Sequence, residues 1–451
     1  MKNYRQQNLF KMKTPQNNIE KSPEWGTFKD SLRAPVHRWF TYPAGFSYKA
    51  VEYSIKRFSI MSGQTIYDPF MGSGTTNIVA KSIGINSYGV EAHPFVYRIA
   101  KAKLCWDILQ KDAYSFIKYV RNNLNNEVKK ISNNGSFNIN NFFPELVMKC
   151  YNEKTLIDLF IIRNFIQKYE MEERIREFFF VVLTALLRHI SSAATGWPYI
   201  APKKKKISSE AKDVLTEFCL LAYKMIDDLC TIKRVSTKNY NETKHLVING
   251  DSRDTNEYIP TKSVDHVFTS PPYLNNFDYS DRTRLELYFW GEAKTWGDIT
   301  NQIRTKLMTS ATTQITRNDP KYKISDELKS NCPKVTDFLN TSVYKLSELR
   351  KIKGGKKSYD LMVSGYFNDM FRIIKDVYRV LKNDSKAIFV LGDSAPYGVH
   401  IPTDTLIGDI ACGIGFKNYN IEVLRERGGK WSKNPQRHSV KLRESIVILN
   451  K

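Results

Sequence analysis

Residues 264–273 read VDHVFTSPPY, an apolar segment that runs directly into two prolines. The run 264–269 predicts a buried strand of a parallel sheet. Prolines cannot continue such a strand, because they donate no ladder hydrogen bond and fix φ. The backbone must therefore leave the sheet at Ser270. An ordinary strand-to-loop turn is enough to explain these residues.

The same turn carries groups that suit a planar ring bearing an amine. The Ser270 hydroxyl and the Pro271 carbonyl are hydrogen-bond acceptors, and Tyr273 offers an aromatic face on which a ring can stack. The sequence therefore leaves two interpretations of this turn, a structural one and a ligand-holding one.

A second strand, turn and helix lie near the N-terminus, where residues 64–76 read QTIYDPFMGSGTT. A helix is predicted from about residue 75 to 82, and the pattern opens a nucleotide-binding α/β half. The third glycine of a dinucleotide fingerprint is missing, and Asp68 would repel a pyrophosphate but attract an ammonium group. These features favour the methionine part of S-adenosylmethionine. Glu91, after a strand at 87–90, suits a ribose diol.

DPFMGSGTT at 68–76 together with TSPPY at 269–273 resembles the amino-methyltransferases of DNA, which methylate exocyclic nitrogens of cytosine or adenine with S-adenosylmethionine. Residues 37–46, 250–254 and 443–448 resemble further segments of that family. The resemblance implies an α/β fold, a Rossmann-like S-adenosylmethionine-dependent methyltransferase sheet, here with a helical insertion and a second, smaller one. Many relatives carry the proline turn ahead of the glycine loop, whereas here it follows.

The resemblance also implies roles for single residues. Ser270 and the Pro271 carbonyl would accept hydrogen bonds from the amine of a flipped base, and Tyr273 would stack on that base. A serine before the prolines favours N4 of cytosine over N6 of adenine, and both targets stay open. The predicted catalytic residues are Ser270, Pro271, Pro272 and Tyr273, and the predicted cofactor-binding residues are Phe46, Asp68, Phe70, Gly72, Gly74, Thr75, Glu91 and Asp251.

The composition points to a partner rich in phosphate. The 451 residues include 69 Lys and Arg against 46 Asp and Glu, a net charge of +23. Double-stranded DNA is the expected partner, although a general bias toward lysine would give the same balance. Six scattered cysteines without a Cys-x-x-Cys pair argue against a metal site and for a reducing compartment. Without an apolar spanning run or a signal peptide, a cytoplasmic protein with no membrane contact is expected.

The chain is expected to divide into four parts. Residues 1–30 predict a polar arm; residues 31–106, 245–280 and 358–451 the catalytic domain; residues 107–244 a helical insertion that is a candidate target-recognition domain; and residues 281–357 a second insertion, a candidate flap that contacts DNA.

Basic residues mixed with aromatic residues mark the expected DNA contacts. The helical insertion carries RHISSAATGWPYIAPKKKK at 188–206, and a basic loop follows at 425–431. A solvated charged loop is the alternative for either segment. The predicted DNA-binding residues are Arg188, Trp197, Tyr199, Lys203, Lys204, Lys205, Lys206, Arg427 and Lys430.

The leading hypothesis is a site-specific DNA methyltransferase of a restriction-modification system, with a cognate restriction endonuclease as a candidate partner. An RNA base methyltransferase and a DNA-binding protein without catalysis are the alternatives. The sequence leaves open the recognition sequence and the oligomeric state.

Overall fold

The computed structural model of the protein describes residues 22–42, 45–195, 200–205, 212–427 and 440–451. Within these ranges the chain forms a seven-stranded sheet, a two-stranded hairpin and fourteen α-helices.

The strands predicted at 264–269 and 87–90 are observed within a residue of those bounds, whereas the strands within 193–205 were not predicted. The nine strands of the described residues follow in chain order. They are β1 (Thr65–Asp68), β2 (Asn86–Glu91), β3 (Ala193–Thr195), β4 (Ile200–Lys205), β5 (His245–Asn249), β6 (Val264–Thr269), β7 (Leu381–Gly392), β8 (Asn418–Arg427) and β9 (Leu442–Asn450).

The helices fall between the strands and in the two insertions. They are α1 (Tyr48–Arg57), α2 (Thr75–Ile83), α3 (Pro94–Leu104), α4 (Gln110–Asn133), α5 (Glu145–Cys150), α6 (Glu153–Lys168), α7 (Glu173–Ile190), α8 (Val214–Val235), α9 (Arg284–Trp290), α10 (Trp296–Ile299), α11 (Asp326–Asn331), α12 (Pro333–Ile352), α13 (Tyr359–Val380) and α14 (Thr403–Ile414).

The main sheet has the strand order β5-β2-β1-β6-β7-β9-β8. Only β9 runs antiparallel to its neighbours β7 and β8, and the other pairs are parallel. The chain builds outward in one direction from β1 and in the other from β6. A crevice therefore opens between the carboxyl ends of these two strands. The predicted α/β methyltransferase-like sheet is confirmed.

Alternate residues of the central strands enter two separate cores, as the twofold period of a strand requires. Ile66 and Phe268 pack with α1 and α2 on one face. Tyr67 and Val267 pack with α13 and α14 on the other. Because both faces are covered, apolar residues occur on both faces of the central strands, which is why the strands could be recognised in the sequence.

The helical insertion has its own core, built from α4 to α8 and sealed against α3 through Phe95 and Ile99. This core also takes in Leu285 and Phe289 of α9. Helices α11 and α12 instead pack against α13 and α14, with Leu339 among their buried residues. The expected second insertion at 281–357 is therefore shared between two cores: α9 joins the helical domain, and α11 and α12 join the core that α13 and α14 form on the sheet.

The described end of the expected polar arm is packed. Trp25 is buried beside Tyr53, with the two ring centroids 4.6 Å apart, and it joins the core under α1. Residues 22–30 therefore belong to the catalytic domain. A single large aromatic side chain in a polar segment was enough to fix it there.

A buried carboxylate joins the helical insertion to the catalytic domain. Asp228 of α8 accepts hydrogen bonds from the Arg38 guanidinium, with Nε at 2.9 Å, and from the indole N–H of Trp39 at 3.0 Å. Its side chain is almost fully buried. The contact spans 190 positions of sequence and fixes the insertion against the segment that leads to the crevice.

Asp228→Ala should lower the free energy of unfolding by about 3 kcal/mol, because it leaves a guanidinium and an indole N–H without their buried acceptor. Urea denaturation followed by circular dichroism would measure this. The matched control is Asp227→Ala at the exposed neighbouring position, which should change stability by less than about 0.5 kcal/mol. An equal loss in both variants would contradict the cross-link.

Candidate active site

A cleft opens at the carboxyl ends of β1 and β6. Segments that are distant in sequence meet there. It is lined by Tyr42, Phe46, Phe70, Gly72, Thr75, Glu91, Asp251, Ser270, Pro272, Tyr279, Lys306 and Met308, among other residues. The structure therefore brings six of the eight predicted cofactor residues into one cleft with Ser270 and Pro272 of the predicted catalytic turn.

The glycine turn and Glu91 form one side of this cleft. Gly72 has φ +53°, and its N–H donates to Glu91 Oε2 at 2.9 Å, while the N–H of His93 donates to Oε1 at 2.8 Å. Burial raises the pKa of Glu91 to about 7, and these two hydrogen bonds oppose the rise. Each carboxylate oxygen keeps a lone pair, so Glu91 can accept two hydroxyl groups of a ligand.

Gly74 has a different role from the predicted one. It does not line the cleft but precedes α2 with φ +87°, and a Cβ there would lie 3.4 Å from the Cβ of Ala100. Gly74 therefore adopts a left-handed backbone conformation just before α2, where α2 packs closely against α3.

Asp68 does not line the cleft either. Its carboxylate accepts hydrogen bonds from Thr269 Oγ1 at 2.6 Å, Thr76 Oγ1 at 2.8 Å and the Phe70 N–H at 3.0 Å. Burial raises its pKa to about 6, and these three donors oppose the rise. The predicted contact to a ligand ammonium is replaced by a bond network that ties β1 to β6.

A buried lysine that the sequence did not indicate supports the glycine turn from below. Lys103 Nζ donates to the Ser73 carbonyl at 2.9 Å and lies 3.4 Å from the His37 carbonyl. Burial lowers its pKa to about 7. In the sequence it looks like an ordinary surface lysine of a helix, and only the packing of α3 against the turn reveals it.

The proline turn faces the cleft through Ser270 and Pro272, whereas Pro271 is buried between them. The Ser270 hydroxyl donates to the Val390 carbonyl at 3.1 Å. Its hydrogen is therefore committed, and its lone pairs remain available as acceptors on the cleft side.

The Tyr273 ring is held from several directions. Its hydroxyl donates to Glu444 Oε1 at 3.0 Å, and Arg425 Nε donates to the other oxygen of that carboxylate at 2.6 Å. The Tyr273 N–H donates to the Tyr279 hydroxyl at 3.4 Å. The side chain of Glu444 is almost fully buried. The ring is thus fixed before any ligand arrives, as a stacking surface requires.

The Asp251 turn reaches the cleft together with a segment that sequence analysis missed. Arg253 pairs with Asp251 and also, at 2.9 Å, with Asp369, and its Nη2 donates to the Lys306 carbonyl at 3.2 Å. Residues 306–310 therefore close the cleft opposite the glycine turn. Nothing in their sequence, KLMTS, indicates this.

The predicted DNA-binding residues are placed very differently from one another. Arg188 is an internal cross-link, because its guanidinium contacts Glu286 and donates to the Thr41 and Arg282 carbonyls at 2.6 and 2.9 Å. Arg427 lies over the Tyr273 ring. Lys203, Lys204 and Lys205 belong to strand β4, while Trp197, Tyr199, Lys206 and Lys430 lie outside the described residues.

The described residues hold neither a metal-binding cluster nor a membrane-spanning helix. Within those ranges no group of three or more His, Cys, Asp or Glu side chains is arranged to hold a metal ion. In the same ranges no helix has both the length and the apolar character to cross a bilayer.

The fold and the cleft define an α/β enzyme with a ligand site at the switch point of its sheet and a rigid acceptor turn beside that site. The DNA methylase family of N6 and N4 methyltransferases matches residues 2–102.

The relatives are similar over nearly the whole chain. The Type II methyltransferase M.BsoBI of Geobacillus stearothermophilus is 27% identical over 94% of this chain and 87% of its own length. M.MvaI of Kocuria varians is 24% identical over 88% and 85%, and M.AvaI of Nostoc is 25% identical over 94% and 88%. The protein is a DNA amino-methyltransferase that acts on cytosine N4 or adenine N6.

Thr269→Val should destabilise the protein more at pH 8 than at pH 5. With a pKa of about 6, Asp68 is ionised at pH 8 and loses a charge-assisted hydrogen bond of about 2 kcal/mol, whereas at pH 5 its protonated form loses less. Urea midpoints at both pH values would test this, with Thr341→Val on the exposed face of α12 as the control. An equal cost at both pH values would show that Asp68 does not depend on this donor.

Proposed function

We propose that the protein transfers the methyl group of S-adenosylmethionine to N4 of a cytosine flipped out of double-stranded DNA, as the methyltransferase of a restriction-modification system. The observation that carries the proposal is the Ser270 hydroxyl, which gives its hydrogen to Val390 and turns its lone pairs toward the same cleft that Glu91 lines. The relatives are named as Type II methyltransferases, which supports the biological setting and a partner endonuclease.

The residues of the cleft fit S-adenosylmethionine. Glu91 offers free lone pairs for a ribose diol, and Asp251 adds a second carboxylate. The aromatic rings of Tyr42 and Tyr279 lie 6.5 Å apart at the cleft. Acidic and aromatic side chains suit a ligand that carries a sulfonium and an ammonium group.

The chain's own contribution to the reaction is positioning and hydrogen bonding. An exocyclic amine is a poor nucleophile because its lone pair is delocalised into the ring. Acceptance of its hydrogens by Ser270 and by the Pro271 carbonyl draws the nitrogen toward sp³ geometry, and Tyr273 holds the ring in line. When bound, S-adenosylmethionine supplies the methyl group: the N–C bond forms as the S–C bond breaks, and the amine then loses a proton to water.

Two basic segments are anchored to the described residues by hydrogen bonds. Hairpin β3–β4, with its lysines, follows Arg188, which binds the carbonyls of Thr41 and Arg282 beside the cleft. On another side, the N–H of Lys357 donates to the Tyr397 hydroxyl at 2.8 Å. Phosphate contacts from these segments would offset the few kcal/mol needed to extrude a base.

Ser270→Ala should lower methyl transfer by roughly 100-fold, because one of the two acceptors of the amine is lost. The measurement is mass spectrometry of nucleosides from unmethylated plasmid DNA incubated with the protein and S-adenosylmethionine. Ser330→Ala, on the exposed surface of α11, is the matched control and should leave the rate unchanged. N6-methyladenine as the product would overturn the choice of base, and no methylated nucleoside from the wild-type protein would overturn the function.

Ligand binding should weaken below pH 7. Ionised Glu91 accepts the ribose diol, so binding to the protonated form first requires loss of a proton, and affinity should fall about tenfold between pH 8 and pH 6. Calorimetry with 5′-deoxy-5′-methylthioadenosine would show this without the titrating amine of methionine. Glu91→Gln should bind weakly and without the pH dependence. A midpoint near 6 would instead point to Asp68, and a flat profile would exclude Glu91 as the acceptor.

A further inference from the structure

Arg427, at the end of β8, is a cation beside the proline turn. Its guanidinium carbon lies 5.3 Å from the centroid of the Tyr273 ring. Its Nη1 is buried and has no hydrogen-bond partner among the described residues. A buried N–H without an acceptor is costly, so the group calls for a partner such as water, an ion or a ligand.

The contrast with Arg425 shows that this is not a general property of the strand. Arg425 and Arg427 lie two residues apart and so share one face of β8. Arg425 is neutralised by Glu444 at 2.6 Å, whereas no carboxylate within the described residues pairs with Arg427. The Arg427 guanidinium therefore keeps, at Nη1, hydrogen-bonding capacity that no described residue uses.

The surroundings place this guanidinium in the target-base half of the site. A Cβ on Gly392 would collide with Nη1 and would lie 2.9 Å from the Tyr273 ring, so glycine is what admits both groups. Burial raises the pKa of Tyr279 to about 12, and the charge of Arg427 is among the effects that oppose the rise. Arg427 is thus close to two aromatic residues of the turn.

Strand β7 relates Arg427 to the amine-holding group. Ser270 binds the carbonyl of Val390, and Arg427 lies against Gly392, two residues further along the same strand. Two residues of an extended strand span about 6.6 Å. The acceptor for the amine and the donors of Arg427 therefore lie against positions two residues apart on β7, a separation comparable with the span of one pyrimidine's exocyclic groups.

Cytosine is the base that matches this arrangement. Beside its N4 amine it presents two consecutive acceptors, N3 and then O2. Adenine presents one ring nitrogen on either side of its amine, followed in each case by a C–H group. A guanidinium has adjacent donors in a fixed fork, so it meets both acceptors of cytosine but leaves one donor facing a C–H of adenine.

We propose that Arg427 selects the target base by donating two N–H groups to O2 and N3 of the flipped cytosine while Ser270 holds its amine. The inference rests on the proposed function and deepens it, because it names the residue that distinguishes cytosine from adenine. A site built to hydrogen-bond a base rejects one that leaves its buried polar groups unpaired.

A deletion cycle tests this contact. Two duplexes are compared after the methylated position has been located: one with cytosine at the target, and one with the C-nucleoside of 2-aminopyridine, which keeps the amine and the ring nitrogen but lacks O2. Each is assayed with the wild-type protein and with Arg427→Ala, and kcat/KM is measured.

The wild-type protein should lose roughly 10- to 100-fold on the analogue, the usual discrimination of a bidentate contact. Arg427→Ala should show that loss already on cytosine and should treat the two duplexes alike. Arg427→Lys keeps the charge but not the forked donors, so its kcat/KM on cytosine should lie between those of the wild-type protein and Arg427→Ala. Lys417→Ala removes a positive charge at the opposite end of β8, where Lys417 pairs with Asp384, and should behave as the wild type.

Three results would overturn the assignment. The same loss on the analogue in the wild type and in Arg427→Ala would place Arg427 on a phosphate or elsewhere. Production of N6-methyladenine would remove the cytosine contact while leaving the methyltransferase function intact. Loss of S-adenosylmethionine binding by both Arg427 variants, measured by calorimetry, would assign Arg427 a structural role.

Discussion

The buried carboxylate of Asp68 is the constraint on which the site depends. Three donors from three places meet on it: the Thr76 hydroxyl at the start of α2, the Thr269 hydroxyl at the end of β6, and the Phe70 N–H that opens the glycine turn. Because Asp68 lies at the carboxyl end of β1, these bonds hold together the two strands between which the cleft opens. A buried carboxylate tolerates neither a missing donor nor a shifted strand.

Two consequences follow from placing the charge there rather than in the cleft. The proline turn begins at Ser270, one residue after Thr269, so its position is set by the same network that starts the glycine turn. The glycine turn and the proline turn are therefore held by the same carboxylate, which fixes the distance between them. Catalysis by positioning requires this, since a misplacement of about 1 Å can cost 100-fold in rate.

The sequence predicted those parts of the fold whose signal is local. The strands that end at or just before Asp68, Glu91 and Ser270 could be predicted almost to the residue. Parallel strands that are buried on both faces produce a largely apolar run in the sequence. The sequence did not show that residues 281–357 belong to two cores. The apolar positions of α9 and α12 predict that these helices are buried, but not which core each of them joins. Trp25 was assigned to a polar arm because the residues around it outweighed it in composition.

The site shows the same division. Residues at strand ends were found because topology brings strand ends together, but polar side chains were assigned to ligands when they bind protein. Asp68 and Arg188 are the two examples, and both are saturated by partners far away in sequence. Lys103 shows the converse, since a lysine in a helix predicts a surface position. Long-range hydrogen bonds leave no periodic pattern in a single sequence, so these roles needed coordinates.

The segment 304–315 shows how the two halves of the site can depend on each other although different domains supply them. Arg304 donates to Asp278, which lies in the loop after the proline turn and also accepts the Thr313 hydroxyl at 2.9 Å. A few residues later, Lys306 accepts from Arg253, the partner of Asp251. One short segment is therefore bonded to Arg253 on one side and to Asp278 in the loop after the proline turn on the other. Ordering of either side restricts the other, because neither can move away from the segment without breaking one of these bonds.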